Sequence, residues 1–275
     1  MSESELIDCV ESYLTKAAEL IDACGIMPRN PLLYPFDSVA LAMTSKGFSL
    51  SRSCLFLLRS GQIDEAYGLS RSLVEGTLIL RYITVDENTK SSKSAAFVDY
   101  SVAYKNYWLH WCRKLFSGTP RGLAVELEAK KWKLDGNPKL AGSGWDKQFD
   151  TYKTQHFDHP LDGSFRTKEN KSADYATNYF QTSQFVHCSP PSLGGFFPEQ
   201  GVAFKVAPAK GQYYATVERI VIILAAYMHQ ILRYAIYGLG IEDSSKFDQL
   251  FSEVLSVLAS YIKHVSLLRE KSARS

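Results

Sequence analysis

Two stretches of this sequence set side chains capable of acid–base and anion chemistry at helical spacing. Arg71 and Glu75 stand four residues apart, about 40° around a helix, so the guanidinium can pair with the carboxylate. Tyr82 and Asp64 fall on the same side. Farther along, Tyr179, Ser183 and His187 recur every fourth residue, which holds three hydrogen-bonding side chains in an arc of about 80°. His187 lies in the last turn before Pro190 and Pro191, where a helix dipole favours the imidazolium. If the two helices face each other, a fixed cation, a carboxylate, two hydroxyls and a titratable base converge. Such a group suits an anion: Arg71 would hold a phosphate or carboxylate in its fork, Glu75 would orient Arg71 or His187, and His187 would transfer protons. The competing reading is structural, with a solvated i,i+4 ion pair and a buried histidine satisfied by Tyr179 or Ser183.

Other constellations carry less chemistry. Ser183 and His187 with Glu75 have the residue types of a nucleophile, base and orienter. The serine, however, lies inside a helix rather than on a strained G-x-S-x-G elbow, and no oxyanion donors accompany it. His156, Asp158 and His159, with Asp150 nearby, could ligate a metal, but a loop cluster bounded by Pro160 reads as surface. No P-loop is present, and Gly142-Ser-Gly144 lacks both the third glycine and the preceding strand of a dinucleotide fingerprint. No metal or cofactor is expected.

The elements that must position these residues are helices. Apolar residues repeat at helical spacing over 3–23 (Leu6, Ile7, Val10, Tyr13, Leu14, Ala17) and stop at Gly25. A proline-rich connector, Pro28 to Pro35, leads into a helix from about Asp37 to Arg59. Ser60-Gly61-Gln62 breaks it, and a third helix, Ile63 to Val85, should pack antiparallel on the second. A fourth, to about Phe116, carries an aromatic stripe (Phe97, Tyr100, Tyr104, Tyr107, Trp108, Trp111) that reads as core rather than as a stacking platform for bases. Between Ser117 and Lys171 glycines, prolines and charges interrupt one helix (Gly122 to Lys131) and a shorter one near Trp145 to Tyr152, the pattern of an irregular insertion or cap. Helical periodicity resumes from Ser172 to His187. A Gly/Pro loop follows from Ser192 to Lys210, with a short extended piece at Val202 to Val206, and two long helices finish the chain, about Gln212 to Tyr237 and Ser245 to Leu268.

With 275 residues, 45% hydrophobic and 22% charged, the chain can bury a sizeable core without staples. The acidic start, Met1-Ser-Glu-Ser-Glu, is unlike a signal peptide. Five scattered cysteines (Cys9, Cys24, Cys54, Cys112, Cys188) form no C-x-x-C pair and read as reduced, mostly buried thiols. These features point to the cytoplasm. A net charge of +2 implies no nucleic-acid partner through bulk electrostatics. The best local candidate, Lys130, Lys131, Lys133 and Lys139 around Trp132, has its commoner explanation in a solvated lysine face. Ile220 to Gly240 is apolar enough to suggest a membrane span, but His229, Gln230 and Arg233 fit a buried bundle helix better.

The run Leu58-Arg-Ser-Gly-Gln-Ile-Asp-Glu-Ala-Tyr-Gly-Leu-Ser-Arg-Ser-Leu-Val-Glu-Gly, with the later Tyr-x-x-x-Ser-x-x-x-His of 179–187, resembles a widespread bacterial family of helical proteins known as a domain of unknown function. The resemblance runs from the second helix to His187. A more distant similarity is to the HEPN group of helical proteins, many of them metal-independent ribonucleases of toxin and antiphage systems. Those enzymes carry an arginine followed by a histidine after four to six residues; no arginine here has a histidine at that interval, so Arg71 and His187 would have to meet from different helices.

The expected fold is therefore all-α: a single domain over 1–275, a bundle of about seven principal helices with 117–171 as an irregular insertion. Its apolar, aromatic-rich terminal helices imply a homo-oligomer, a two-fold dimer. Two functions compete. One is a HEPN-like effector acting on RNA or another phosphate-bearing ligand through Arg71, Glu75, Tyr179, Ser183 and His187. The other is a non-catalytic interaction module whose polar cluster is structural.

Overall fold

Three of the described helices start on a side chain that caps them. The computed structural model describes residues 2–27, 29–30, 33–131, 133–136, 148–149, 151–152, 216–241 and 245–272. Among them are α1 (Glu3–Ala23), α2 (Pro35–Arg59), α3 (Ile63–Thr84), α4 (Glu87–Phe116), α5 (Pro120–Lys131), α6 (Val217–Leu239) and α7 (Ser245–Ser272), and no strand. The protein is all-α, as the periodicity predicts. Ser2 opens α1 with a capping box: its hydroxyl accepts from the Glu5 amide, and the Glu5 carboxylate accepts from the Ser2 amide. Asp86 caps α4 and Thr216 caps α6. Gly240 ends α6 in the left-handed conformation (φ 72°), donating its amide to the Ile236 and Tyr237 carbonyls, while the Ile241 amide returns to Ile236 at 3.1 Å.

The chain forms two compact units, one of Met1–Pro28, Ala40–Arg81 and Phe157–Ser275, the other of Arg29–Val39 and Tyr82–His156. In the first, α2 and α3 make the expected antiparallel hairpin. The Cys54 thiol donates to the Ala66 carbonyl at 3.5 Å, and Met43 lies beside Gly76, so contacts advance along one helix as they retreat along the other. Burial pushes the Cys54 thiol up to about 12. α6 runs in the same sense as α3: Arg219 stands over the Tyr67 ring at 5.2 Å, and the Thr77 hydroxyl lies 3.2 Å from the Tyr227 carbonyl. On α2, Gly47 leaves room for Met228 and Ile231 of α6, whose atoms would lie 2.9 and 3.3 Å from a β-carbon there.

α1 and α7 complete this unit around α6. Val217–Leu239 is, among the described helices, the one long and apolar enough to cross a membrane, yet 61% of that apolar window is buried inside the protein. Ile220, Val221, Leu224, Met228 and Leu232 are fully covered, each contributing about 1.5–3 kcal/mol to the folded state. Arg59 at the end of α2 reaches Asp8 (2.7 Å) and Glu11 (2.5 Å) of α1, all on the surface.

The second unit holds the start of α2, the end of α3, α4 and α5. Asp37, buried in the first turn of α2, receives a two-pronged pair from Arg29 (Nε to Oδ2 2.7 Å, Nη2 to Oδ1 2.8 Å), which holds its carboxyl below the usual range. α4 packs on α5 through Leu109, Cys112, Val125 and Ala129, with Phe116 and Leu134 against them. Arg113 ties the ends together: it forks onto Glu126 (2.7 and 2.9 Å) and donates through Nη1 to the Asp135 carbonyl at 2.7 Å. Asn106 accepts the amides of Asp135 and Gly136 at 3.1 and 3.0 Å. Gly136 suits its φ of 76°, and a β-carbon there would oblige the end of the flexible Arg113 side chain to shift.

The aromatic stripe of α4 departs from expectation. Leu109, Cys112 and Phe116 form the inward face, whereas Tyr107, Trp108 and Trp111 stand in solvent. Spacing correctly placed these aromatics on a shared face, but α5 packs on the opposite one.

Candidate functional site

On α3 the predicted pair forms. Arg71 Nη2 lies 3.1 Å from Glu75 Oε1. The arginine side chain is only 15% exposed, whereas the glutamate, at 37%, keeps its carboxylate in solvent. One turn earlier, Tyr67 is fully buried with Arg219 over its ring, and the Ser70 hydroxyl donates to the Tyr67 carbonyl at 2.7 Å. Tyr67 and Arg71 share a helix face, so a second guanidinium, from the first turn of α6, stands on the side where Arg71 begins. A cation largely shielded from water interacts more strongly with an anion than one on an open surface, and an incoming anion would have to share the guanidinium with Glu75.

Tyr179, Ser183 and His187 lie outside the described residues, as do His156, Asp158 and His159, Asp150, Trp132, Lys139, and the expected elements at Ser172–His187 and Val202–Val206. The structure thus brings Arg71 and Glu75 together. Tyr82, expected on the same side, belongs to the second unit. There its hydroxyl donates to Gln148 Oε1 at 3.2 Å, and its ring packs on Tyr152 and Phe149 at 4.8 and 5.9 Å. Lys93 lies over that ring and donates to the Tyr82 carbonyl at 3.0 Å, and burial lowers the ammonium's pKa. Among the described residues no three histidine, cysteine, aspartate or glutamate side chains gather as metal ligands would.

A second polar group, which spacing did not single out, sits where α1, α6 and α7 meet. His229 is buried, stacks flat on Phe251 (3.9 Å, 5°), and sets Nε2 3.4 Å from Asp248 Oδ1. Tyr13 packs on the same phenylalanine at 6.1 Å. The His229 Nδ1 and the Tyr13 hydroxyl are both buried with no hydrogen-bond partner among the described residues. Desolvation drives the imidazole pKa down to about 4 against the pull of Asp248, with Arg233 pushing the same way as burial. At neutral pH His229 is therefore an uncharged ring in an apolar stack. The only sequence signal was its presence in the most apolar helix, where a polar ring demands a partner.

The helices and the α2–α3 hairpin define an all-α protein whose polar side chains cluster on helix faces. Residues 37–201 match a family of unknown function, DUF5677, and the chain belongs to that family. The matched span opens within α2 and takes in Arg71, Glu75 and the 179–187 motif. No curated protein and no solved structure matches the chain.

Proposed function

We propose that this protein is a HEPN-like helical effector acting on a phosphate-bearing substrate, RNA first among them, in the manner of metal-independent ribonucleases of defence and toxin systems. Arg71 stabilises charge developing on the phosphoryl group, His187 serves as general acid–base, Glu75 fixes the guanidinium, and Tyr179 and Ser183 orient the substrate or the imidazole. The observation that carries this reading is the Arg71–Glu75 pair itself, 3.1 Å long with its guanidinium largely covered, and with Arg219 over Tyr67 one turn away. Two guanidinium groups around a shielded helix face suit a polyanion better than a neutral ligand.

The test is cleavage of end-labelled single-stranded RNA by the purified full chain. Arg71→Ala and His187→Ala should each lower the rate by about 100-fold or more while the protein stays folded by circular dichroism. Cleavage unchanged by both substitutions would remove the proposal. The same partial burial of Arg71 favours one competing reading, a non-catalytic interaction module whose polar cluster is structural. In that case Arg71→Ala lowers the melting temperature by several degrees and the wild-type protein cuts nothing.

A further inference from the structure

We infer that the C-terminal half of α4 is a docking surface for single-stranded RNA, which stacks its bases on Trp108 and Trp111. The inference rests on the RNA-directed reading above for its choice of nucleic acid. It concerns a different face in the other compact unit, and it holds whether or not the bound strand is cut.

Around the α4 axis, Tyr107, Trp108, Trp111, Lys114 and Leu115 occupy an arc of about 120°, opposite the Leu109, Cys112 and Phe116 face that packs on α5. Trp108 and Trp111 are 47% and 44% exposed and form, with Tyr107 and Leu115, a contiguous uncovered apolar patch. Three residues apart, they are neighbours on the helix surface, as stacking on successive bases requires. Trp111 is held in place: Tyr107 and His110 meet it edge-on at 6.2 and 5.9 Å, and the Lys114 ammonium lies 5.0 Å from its centroid. A cation alongside exposed rings supplies a phosphate contact beside a base platform.

Charge favours a nucleic acid over a second copy of the chain. Between positions 105 and 133 seven lysines and arginines face two glutamates, whereas the whole chain carries only +2, so the remainder is net acidic. An apolar dimer interface would have to desolvate Lys114 against its symmetry mate, while an RNA strand neutralises it and releases counterions.

The test is fluorescence anisotropy of the protein with a labelled, 2′-O-methylated single strand of roughly 12 nucleotides, whose blocked 2′-oxygens cannot attack the adjacent phosphates. Wild type should bind, and binding should weaken steeply with added salt. Trp108→Ala with Trp111→Ala should weaken it at least about tenfold, and Lys114→Glu severalfold, while Trp111→Phe keeps most of the affinity. Leu123→Ala with Leu127→Ala, on the outward face of α5, should change nothing. The inference falls if wild type does not bind at low salt, or if the tryptophan variant, folded by circular dichroism, binds as tightly. It falls equally if light scattering shows the tryptophan variant turning a dimer into a monomer with RNA binding intact. Because the probe is not cleaved, these results are independent of whether Arg71 and His187 are catalytic.

Discussion

α4 and α6 both carry rows of large apolar side chains, yet they treat water in opposite ways. α6 buries Leu224, Met228 and Leu232 completely among α1 and the other helices of its unit, and even its histidine is stripped of solvent. Along its C-terminal half, α4 covers Leu109, Cys112 and, in part, Phe116 and leaves Tyr107, Trp108 and Trp111 outside. The difference teaches that a row of apolar residues announces a face in need of cover, while the neighbouring helices decide whether it is covered within the chain. Where they cover it, the row contributes stability. Where they do not, it is available for recognition.

The contrast is sharpest in stability. Leu224→Ala should cost roughly 2–5 kcal/mol in urea unfolding, because a fully buried side chain leaves a cavity. Trp111→Ala, which removes a larger group, should cost under about 1 kcal/mol. Equal losses would mean that α4's rings are core after all.

Acid probes the buried side. The His229 pKa is depressed from 6.5 to about 4 in the folded state, so below 6.5 the unfolded chain binds the proton more readily. Stability should therefore fall as pH drops from about 6.5 to about 4 and then level, a loss of about 3 kcal/mol from this ring alone. His229→Gln should lack that part of the slope in pH-dependent denaturation, and a variant with the wild-type slope would show the ring to be hydrated. In the second unit, Gly136→Ala should cost about 2 kcal/mol, since it forces φ 76° on a β-carbon and displaces Arg113. Faster hydrogen exchange at the Asp135 and Gly136 amides would register it. Gly240→Ala at the end of α6 should cost about 1 kcal/mol, read as a lower melting temperature with no local change around α4.

Much of this fold is legible in the sequence because its boundaries are chemically marked. Ser2 and Glu5 start α1, Gly25 follows its end, and Gly61 with a positive φ turns α2 into α3. Arg71 and Glu75 are readable because an i,i+4 pair is a local property of one helix. Arg219 over Tyr67 and Asp248 beside His229 are not, since each depends on which helices become neighbours, and a single helix's periodicity holds no record of that. The aromatic stripe failed for the same reason: spacing fixed the shared face of Trp108 and Trp111, and the position of α5 fixed its exposure.

Each compact unit encloses a thiol of its own, Cys54 against Ala66 in one and Cys112 beneath α5 in the other, while Cys24 lies open to solvent. A thiolate is the form that alkylating reagents attack, and burial keeps Cys54 protonated far above physiological pH. Among the described cysteines, Cys54 and Cys112 thus act as built-in timers. Residue-resolved alkylation would read Cys24 at once and the enclosed pair only as their surroundings open, revealing whether the halves of the protein breathe in concert or separately.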